Sequence, residues 1–99
     1  MSYKCISIDD ARMLIEQGGA TIADVRDAGA FLASSIENAI NIQQENLEEF
    51  LASADKNKPL IVYCYHGNSS KGAADYFSSQ GYKEVYSMDG GYEAWRLKY

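Results

Sequence analysis

Four consecutive apolar residues, Leu60-Ile61-Val62-Tyr63, follow the only proline of the chain, Pro59. A strand with one wet face alternates apolar and polar side chains. A run without alternation reads as a strand buried on both faces, as in parallel sheets covered by helices on each side. The rest of the sequence supplies further strands and the covering helices. Lys4-Cys5-Ile6-Ser7-Ile8 reads as a short strand, followed by a helix capped by Asp9 or Asp10, with Ala11, Leu14 and Ile15 at helical spacing and Gly18-Gly19 as its stop. Thr21 to Val25 is a second strand, Ala28 to Ala33 a short helix, Ala39 to Ile42 a third strand, and Glu45 to Ser53 a helix with Leu47, Phe50 and Leu51 on one face. After the buried run, a helix is predicted from about Ser70 to Gln80, ending at Gly81. Glu84 to Met88 is a further strand, and Gly90-Gly91 opens a last helix bearing Tyr92, Ala94 and Trp95. This alternation predicts an α/β fold: about five strands in a mostly parallel sheet, flanked by helices on both faces.

Ninety-nine residues fit a single domain, 1–99, with a modest core. No low-complexity segment, repeat or linker interrupts it. The net charge of −5 argues against a nucleic-acid binder, which needs a basic surface. No run approaches the ~20 apolar residues of a membrane span. The segment Met1 to Ala20 carries Lys4, Asp9, Asp10, Arg12 and Glu16 and lacks the apolar stretch of a signal peptide, so the expected location is the cytoplasm. The two cysteines, Cys5 and Cys64, have no metal-type spacing, and a reducing compartment disfavours a disulfide between them. With one histidine and no Cys/His cluster, a bound metal has little support.

The chemistry points to one stretch, Pro59-Leu-Ile-Val-Tyr-Cys-Tyr-His-Gly-Asn-Ser-Ser-Lys-Gly-Ala73. Cys64 stands at the carboxyl end of the buried strand, where open α/β sheets bind ligands. Gly67 can take a positive φ, and Asn68 tolerates one better than most residues. A tight loop of this kind turns successive N–H groups inward as an anion-binding nest, and the following helix aims its N-terminus at the same point. Asn68, Ser69 and Ser70 add donors, and Lys71 adds a charge. Such a cradle lowers a cysteine pKa from about 8.5 and holds an oxyanion against the sulfur. A free cysteine at a strand end is otherwise often only a small core residue; the donor-rich loop shifts the reading toward function.

The segment Cys64-Tyr65-His66-Gly67-Asn68-Ser69-Ser70-Lys71-Gly72-Ala73-Ala74, the run Tyr86-Ser-Met-Asp-Gly-Gly-Tyr-Glu-Ala-Trp95, and Asp24-Val25-Arg26 with Phe31 together resemble the rhodanese family, in particular its bacterial single-domain thiosulfate sulfurtransferases of the GlpE type. The resemblance spans nearly the whole chain. It implies a five-stranded parallel sheet, and a Cys64 thiolate that attacks the outer sulfur of thiosulfate, releases sulfite and holds a persulfide. It implies that a thiophilic acceptor then takes the sulfur: cyanide in an assay, or a dithiol such as thioredoxin. It implies that the amides of Tyr65, His66, Gly67, Asn68, Ser69 and Ser70 encircle the persulfide, and that no cofactor is needed. The expected partners include no nucleic acid and no membrane, and the expected oligomeric state is a monomer or weak dimer. The chain departs from the family at Ser34-Ser35, where many members have Gly-His, with a local packing effect expected. It also has Tyr65 and His66 where many members carry a loop arginine.

Other residues have readings of their own. His66 is more readily a loop-shaping or exposed residue than a general base, because an ionised thiol leaves little proton to abstract. Lys71 either steers an anion or is a solvated residue on a first helical turn, where its charge opposes the dipole. Asp24 and Arg26 brace the loop, Trp95 and Tyr92 belong to the core or a lid, and Cys5 is a plain strand residue. Three rival functions stand beside sulfur transfer. A cysteine phosphatase or arsenate reductase needs arginine six positions after the cysteine, where this chain has Ser70. A non-catalytic module can keep the same fold, and a persulfide relay would take its sulfur from another protein.

Overall fold

A computed structural model describes residues 2–99. Five strands form one sheet: β1 (Lys4–Ile6), β2 (Thr21–Asp24), β3 (Ile40–Asn41), β4 (Leu60–Tyr63) and β5 (Val85–Met88), in the spatial order β1-β5-β4-β2-β3. Every pairing is parallel, so the expected mostly parallel sheet is wholly so. The helices are α1 (Ile8–Gln17), α2 (Ala28–Ala33), α3 (Leu47–Ser53), α4 (Ser69–Ser79) and α5 (Gly91–Lys98).

All four residues of β4 are buried, as the unalternating run predicts. One face of the sheet packs Ala23, Leu60, Val62 and Val85 against Phe50 of α3 and Ala74 and Phe77 of α4. The other packs Ile22, Ile61, Tyr63 and Met88 against Ala11 of α1 and Tyr92 of α5. The period-two alternation of side chains along β4 therefore divides the core into two layers.

Several boundaries differ from the sequence reading, each for a local reason. The first strand stops at Ile6, because Ser7 accepts a hydrogen bond from Asp10 N and caps α1 in place of Asp9 or Asp10. The expected Glu45–Ser53 helix divides into a 3₁₀ turn, Gln44–Asn46, and α3. There the Gln43 backbone N–H donates to Asn46 Oδ1. The helix expected from Ser70 runs from Ser69 to Ser79. Strands β2, β3 and β5 are each a residue or two shorter than expected, though Val25 N still donates to Tyr63 O just beyond β2. No helix among the described residues is long and apolar enough to cross a membrane.

The strand order sets the position of the site. From β2 the chain moves outward to β3; from β4 it moves the other way, to β5. The adjacent carboxyl ends of β2 and β4 thus form the point where the winding reverses and a crevice opens. Cys64 follows β4 there, and Asp24-Val25-Arg26 ends β2 beside it.

Candidate active site

Cys64 is the first residue beyond β4, on the face that carries Val62 and packs under α4. The loop curls around its sulfur: Gly67 N and Ser70 N each donate to Sγ at 3.2 Å. The turn needs glycine at 67, where φ is +92° and a Cβ would lie 2.9 Å from Gly90 N. Asn68, expected to tolerate a positive φ, instead has φ −92° and leads into α4. Both sulfur donors are main-chain groups at or just before the N-terminus of that helix, so the helix dipole acts in the same direction.

Burial pushes the Cys64 thiol up. The Ser70 hydroxyl and the amides of Ser70, Gly67 and His66 outweigh that effect and leave the pKa below the ordinary cysteine value. A lowered pKa raises the thiolate share at neutral pH above that of an ordinary cysteine. The expected result is that iodoacetamide labels Cys64 along a pH profile with its midpoint below the ~8.5 of a free cysteine, followed by peptide mapping. A midpoint at or above that value would contradict the hydrogen-bond balance.

Cys64 is only 4 % exposed, yet it is not sealed. Cys64, Tyr65, His66, Asn68 and Ser69 line a small depression of about 140 Å³, with room for a small anion. Gly67 and Ser70 lie behind the sulfur as its donors. Lys71 is exposed on the first turn of α4 and makes no ion pair among the described residues. His66 is exposed, and its contribution to the sulfur comes from its backbone. The Tyr65 hydroxyl donates to the carboxylate of Asp27, which also caps α2. Cys5 is exposed, and both cysteines are free. Among the described residues no group of His, Cys, Asp or Glu could hold a metal ion.

Two supports hold the loop in place. The Tyr92 and Glu93 amides, in the first turn of α5, donate to Cys64 O at 2.8 Å and Tyr65 O at 3.0 Å. With those carbonyls turned toward α5, the loop's N–H groups are free to face the sulfur. The Gly90-Gly91 pair was legible as a helix opening; that its helix grips the cysteine loop was not. The second support is the Asp24–Arg26 pair. Arg26 donates bidentately to Asp24, at 2.7 Å from Nη2, and from Nη2 to Ser34 O at 2.6 Å. Its guanidinium carbon lies 4.3 Å from the Tyr92 ring centroid. Ser34 Oγ in turn hydrogen-bonds the Tyr92 hydroxyl. Ser34, half of the departing Ser34-Ser35 pair, therefore links β2 to α5 at the base of the site.

The sequence matches the rhodanese-like domain family over residues 7–98. The chain belongs to the rhodanese family. This rhodanese is 46 % identical over 97 residues to thiosulfate sulfurtransferase GlpE of Pseudomonas savastanoi pv. phaseolicola, covering 98 % of the chain and 91 % of the relative. It is 43 % identical to the protein of the same name from Shewanella oneidensis, covering 95 % and 93 %. Among solved structures, it aligns with a rhodanese-related protein of Thermoplasma volcanium with a TM-score of 0.81 at 31 % identity, covering 97 % and 93 % of the two chains. The rhodanese fold expected from Cys64 to Ala74 and from Tyr86 to Trp95 is therefore present along nearly the whole chain.

Proposed function

We infer that this rhodanese is a thiosulfate sulfurtransferase and that Cys64 is its sulfur carrier. The observation that carries the reading is the sulfur of Cys64 held by two inward amides, with a small depression opening onto it. In the first half-reaction, the Cys64 thiolate attacks the outer sulfur of thiosulfate. The S–S bond breaks and its electron pair leaves with sulfite, while Cys64 becomes a persulfide whose negative charge sits on the new outer sulfur. In the second, the acceptor attacks that outer sulfur and the Sγ–S electron pair returns to Sγ. With cyanide the products are thiocyanate and the Cys64 thiolate. The inward amides stabilise the anion at each stage, and no proton need be abstracted from an ionised thiol. Tyr65, His66, Asn68 and Ser69 contact the substrate at the rim, Gly67 and Ser70 hold the sulfur, and Lys71 draws the anion from solvent.

The physiological acceptor we propose is a dithiol protein such as thioredoxin, which can take the sulfur and release it by forming its own disulfide. Two free thiols suit a reducing compartment, and we place the protein in the cytoplasm as a monomer or weak dimer. A phosphatase reading lacks support in the geometry. Position 70 is serine, and Arg26, the nearby guanidinium, is committed to Asp24 and Ser34.

The test is mass spectrometry after incubation with thiosulfate. The peptide containing Cys64 should gain one sulfur atom and lose it on addition of cyanide, with none on the peptide containing Cys5. Absence of the adduct from Cys64 would overturn the carrier assignment.

A further inference from the structure

We propose that Asp27 is a positioning residue for the sulfur-donor site: it anchors the Tyr65 hydroxyl, so that the Tyr65 ring walls one side of the depression at Cys64 and excludes bulky donors. Tyr65 follows Cys64 in the loop after β4, and Asp27 opens α2 just beyond β2. The two strands pair side by side and end where the winding reverses. A bond between these residues therefore crosses the crevice in which sheets of this kind bind ligands. The Tyr65 hydroxyl donates to Asp27 Oδ1, and Tyr65 also lines the depression beside the sulfur.

Helix capping alone does not call for aspartate at position 27. Ala30 N donates to Asp27 Oδ2 at 3.1 Å and caps α2. Asparagine or serine caps a helix about as well, and each offers a single acceptor oxygen. A carboxylate near an anion site even works against that site, because like charges repel. Two oxygens with two separate donors account for the choice: Oδ2 serves the helix and Oδ1 serves the tyrosine. A bond to an ionised acceptor is roughly twice as strong as one between neutral groups. It holds the Asp27 carboxyl below the usual carboxylate range and pushes the Tyr65 phenol up, so acceptor and donor both keep their forms through neutral pH.

Little else fixes the outer end of the ring. Tyr65 is 40 % exposed, so packing does not hold it. Its carbonyl is tied to α5 by Glu93 N at 3.0 Å, which sets the base of the side chain. The Arg26 guanidinium carbon lies 5.7 Å from the ring centroid, near the ~6 Å limit of a cation–π contact. That guanidinium is already committed to Asp24 and Ser34. The bond to Asp27 is thus the main restraint on the tip of the tyrosine. With base and tip both held, the ring stays at the rim. Without the bond it can swing toward solvent, and the depression widens.

The consequence is selection by size, and its catalytic form rests on Cys64 being the sulfur carrier. The experiment uses Asp27→Ser, which keeps a cap for α2 and removes the tyrosine's partner, and Tyr65→Phe, which keeps the ring and removes the donor. Both are made singly and together, with Cys5→Ser so that Cys64 is the sole thiol. The sulfur donors are methanethiosulfonate and benzenethiosulfonate, with cyanide as acceptor. In each, the Cys64 thiolate attacks the outer sulfur, the S–S bond breaks and its electron pair leaves with the sulfinate. The two donors carry the same charge and differ in bulk, so loss of the Asp27 charge cancels in their ratio.

The kcat/KM ratio of the aromatic to the methyl donor should rise about five-fold in each single variant and no further in the double. Alkylation of Cys64 by N-benzyliodoacetamide relative to iodoacetamide, each losing iodide to the sulfur, should rise in parallel. An unchanged ratio in either single variant, or two effects that add in the double, would overturn the proposal. Should Asp27→Ser fail to fold, Tyr65→Phe alone decides: parent ratios in that variant would overturn the proposal. Alkylation needs no sulfur transfer, so its outcome stands apart from the carrier assignment, which the thiosulfate adduct tests.

Discussion

Replacing Cys64 with serine is expected to lower thiosulfate:cyanide sulfurtransferase turnover by at least about 10³-fold, as loss of a nucleophile does elsewhere. The substitution exchanges one atom in a position that is 4 % exposed, and the amides of Gly67 and Ser70 remain to meet the new oxygen. The fold should survive, with a stability change within about 1 kcal/mol. What is lost is ionisation. A cysteine of lowered pKa ionises more readily than an ordinary thiol, whereas a serine hydroxyl in the same nest keeps its proton and cannot attack a sulfane sulfur. Cys5→Ser is the control. Cys5 is exposed on the outer strand β1, and its loss should leave turnover near the parent value. Steady-state assays with circular dichroism on both variants check the pair of expectations. Appreciable turnover in folded Cys64→Ser would remove Cys64 from the mechanism.

Gly91→Ala should cost about 3 kcal/mol or more of stability and lower turnover by roughly 10²-fold in the molecules that fold. Gly91 has φ +61°, and a Cβ there would lie 2.4 Å from Tyr65 O, 2.5 Å from Tyr65 C and 2.6 Å from Cys64 O. All three atoms are backbone, so no side chain can swing aside. Relief requires α5 and the cysteine loop to separate, which breaks the bonds from Tyr92 N to Cys64 O and from Glu93 N to Tyr65 O. Freed carbonyls let the loop rotate its amides away from the sulfur, so the thiol pKa should rise together with the loss of turnover. Gly72→Ala offers the contrast. A Cβ at Gly72, within α4, meets nothing within 4 Å, and alanine there should stabilise by about 0.5–1 kcal/mol with activity retained. Thermal melts and a thiolate titration on the two variants test this. A Gly91→Ala protein with parent stability and parent thiol pKa would show that the α5 clamp does not shape the loop.

What the sequence revealed and what it hid divide along the range of the interactions. The unbroken apolar run at Leu60–Tyr63 placed the central strand, because burial on both faces leaves a mark on consecutive residues. The bounds of α2 and the turn at Gly67 were legible for the same local reason. Ser7 was passed over as the cap of α1 because two aspartates follow it, and only the backbone shows which side chain reaches an amide. The support of the site was less visible still. Tyr92 N meets Cys64 O, Ser87 meets Ser70, and Arg26 spans to Ser34, pairs that the fold unites and no periodicity announces. Arg26 and Asp24 were expected to brace the loop. They act on it indirectly, through Ser34 and Tyr92 of α5.

The grip of α5 on Cys64 and Tyr65 has a bearing on when the protein can act. A ribosome produces the cysteine well before it produces Tyr92 and Glu93, and at about 5–20 residues per second that interval lasts roughly a few seconds. Through that window the carbonyls of Cys64 and Tyr65 lack the partners that fix the loop. The inward set of the loop's amides is therefore expected to form only with the docking of the final helix.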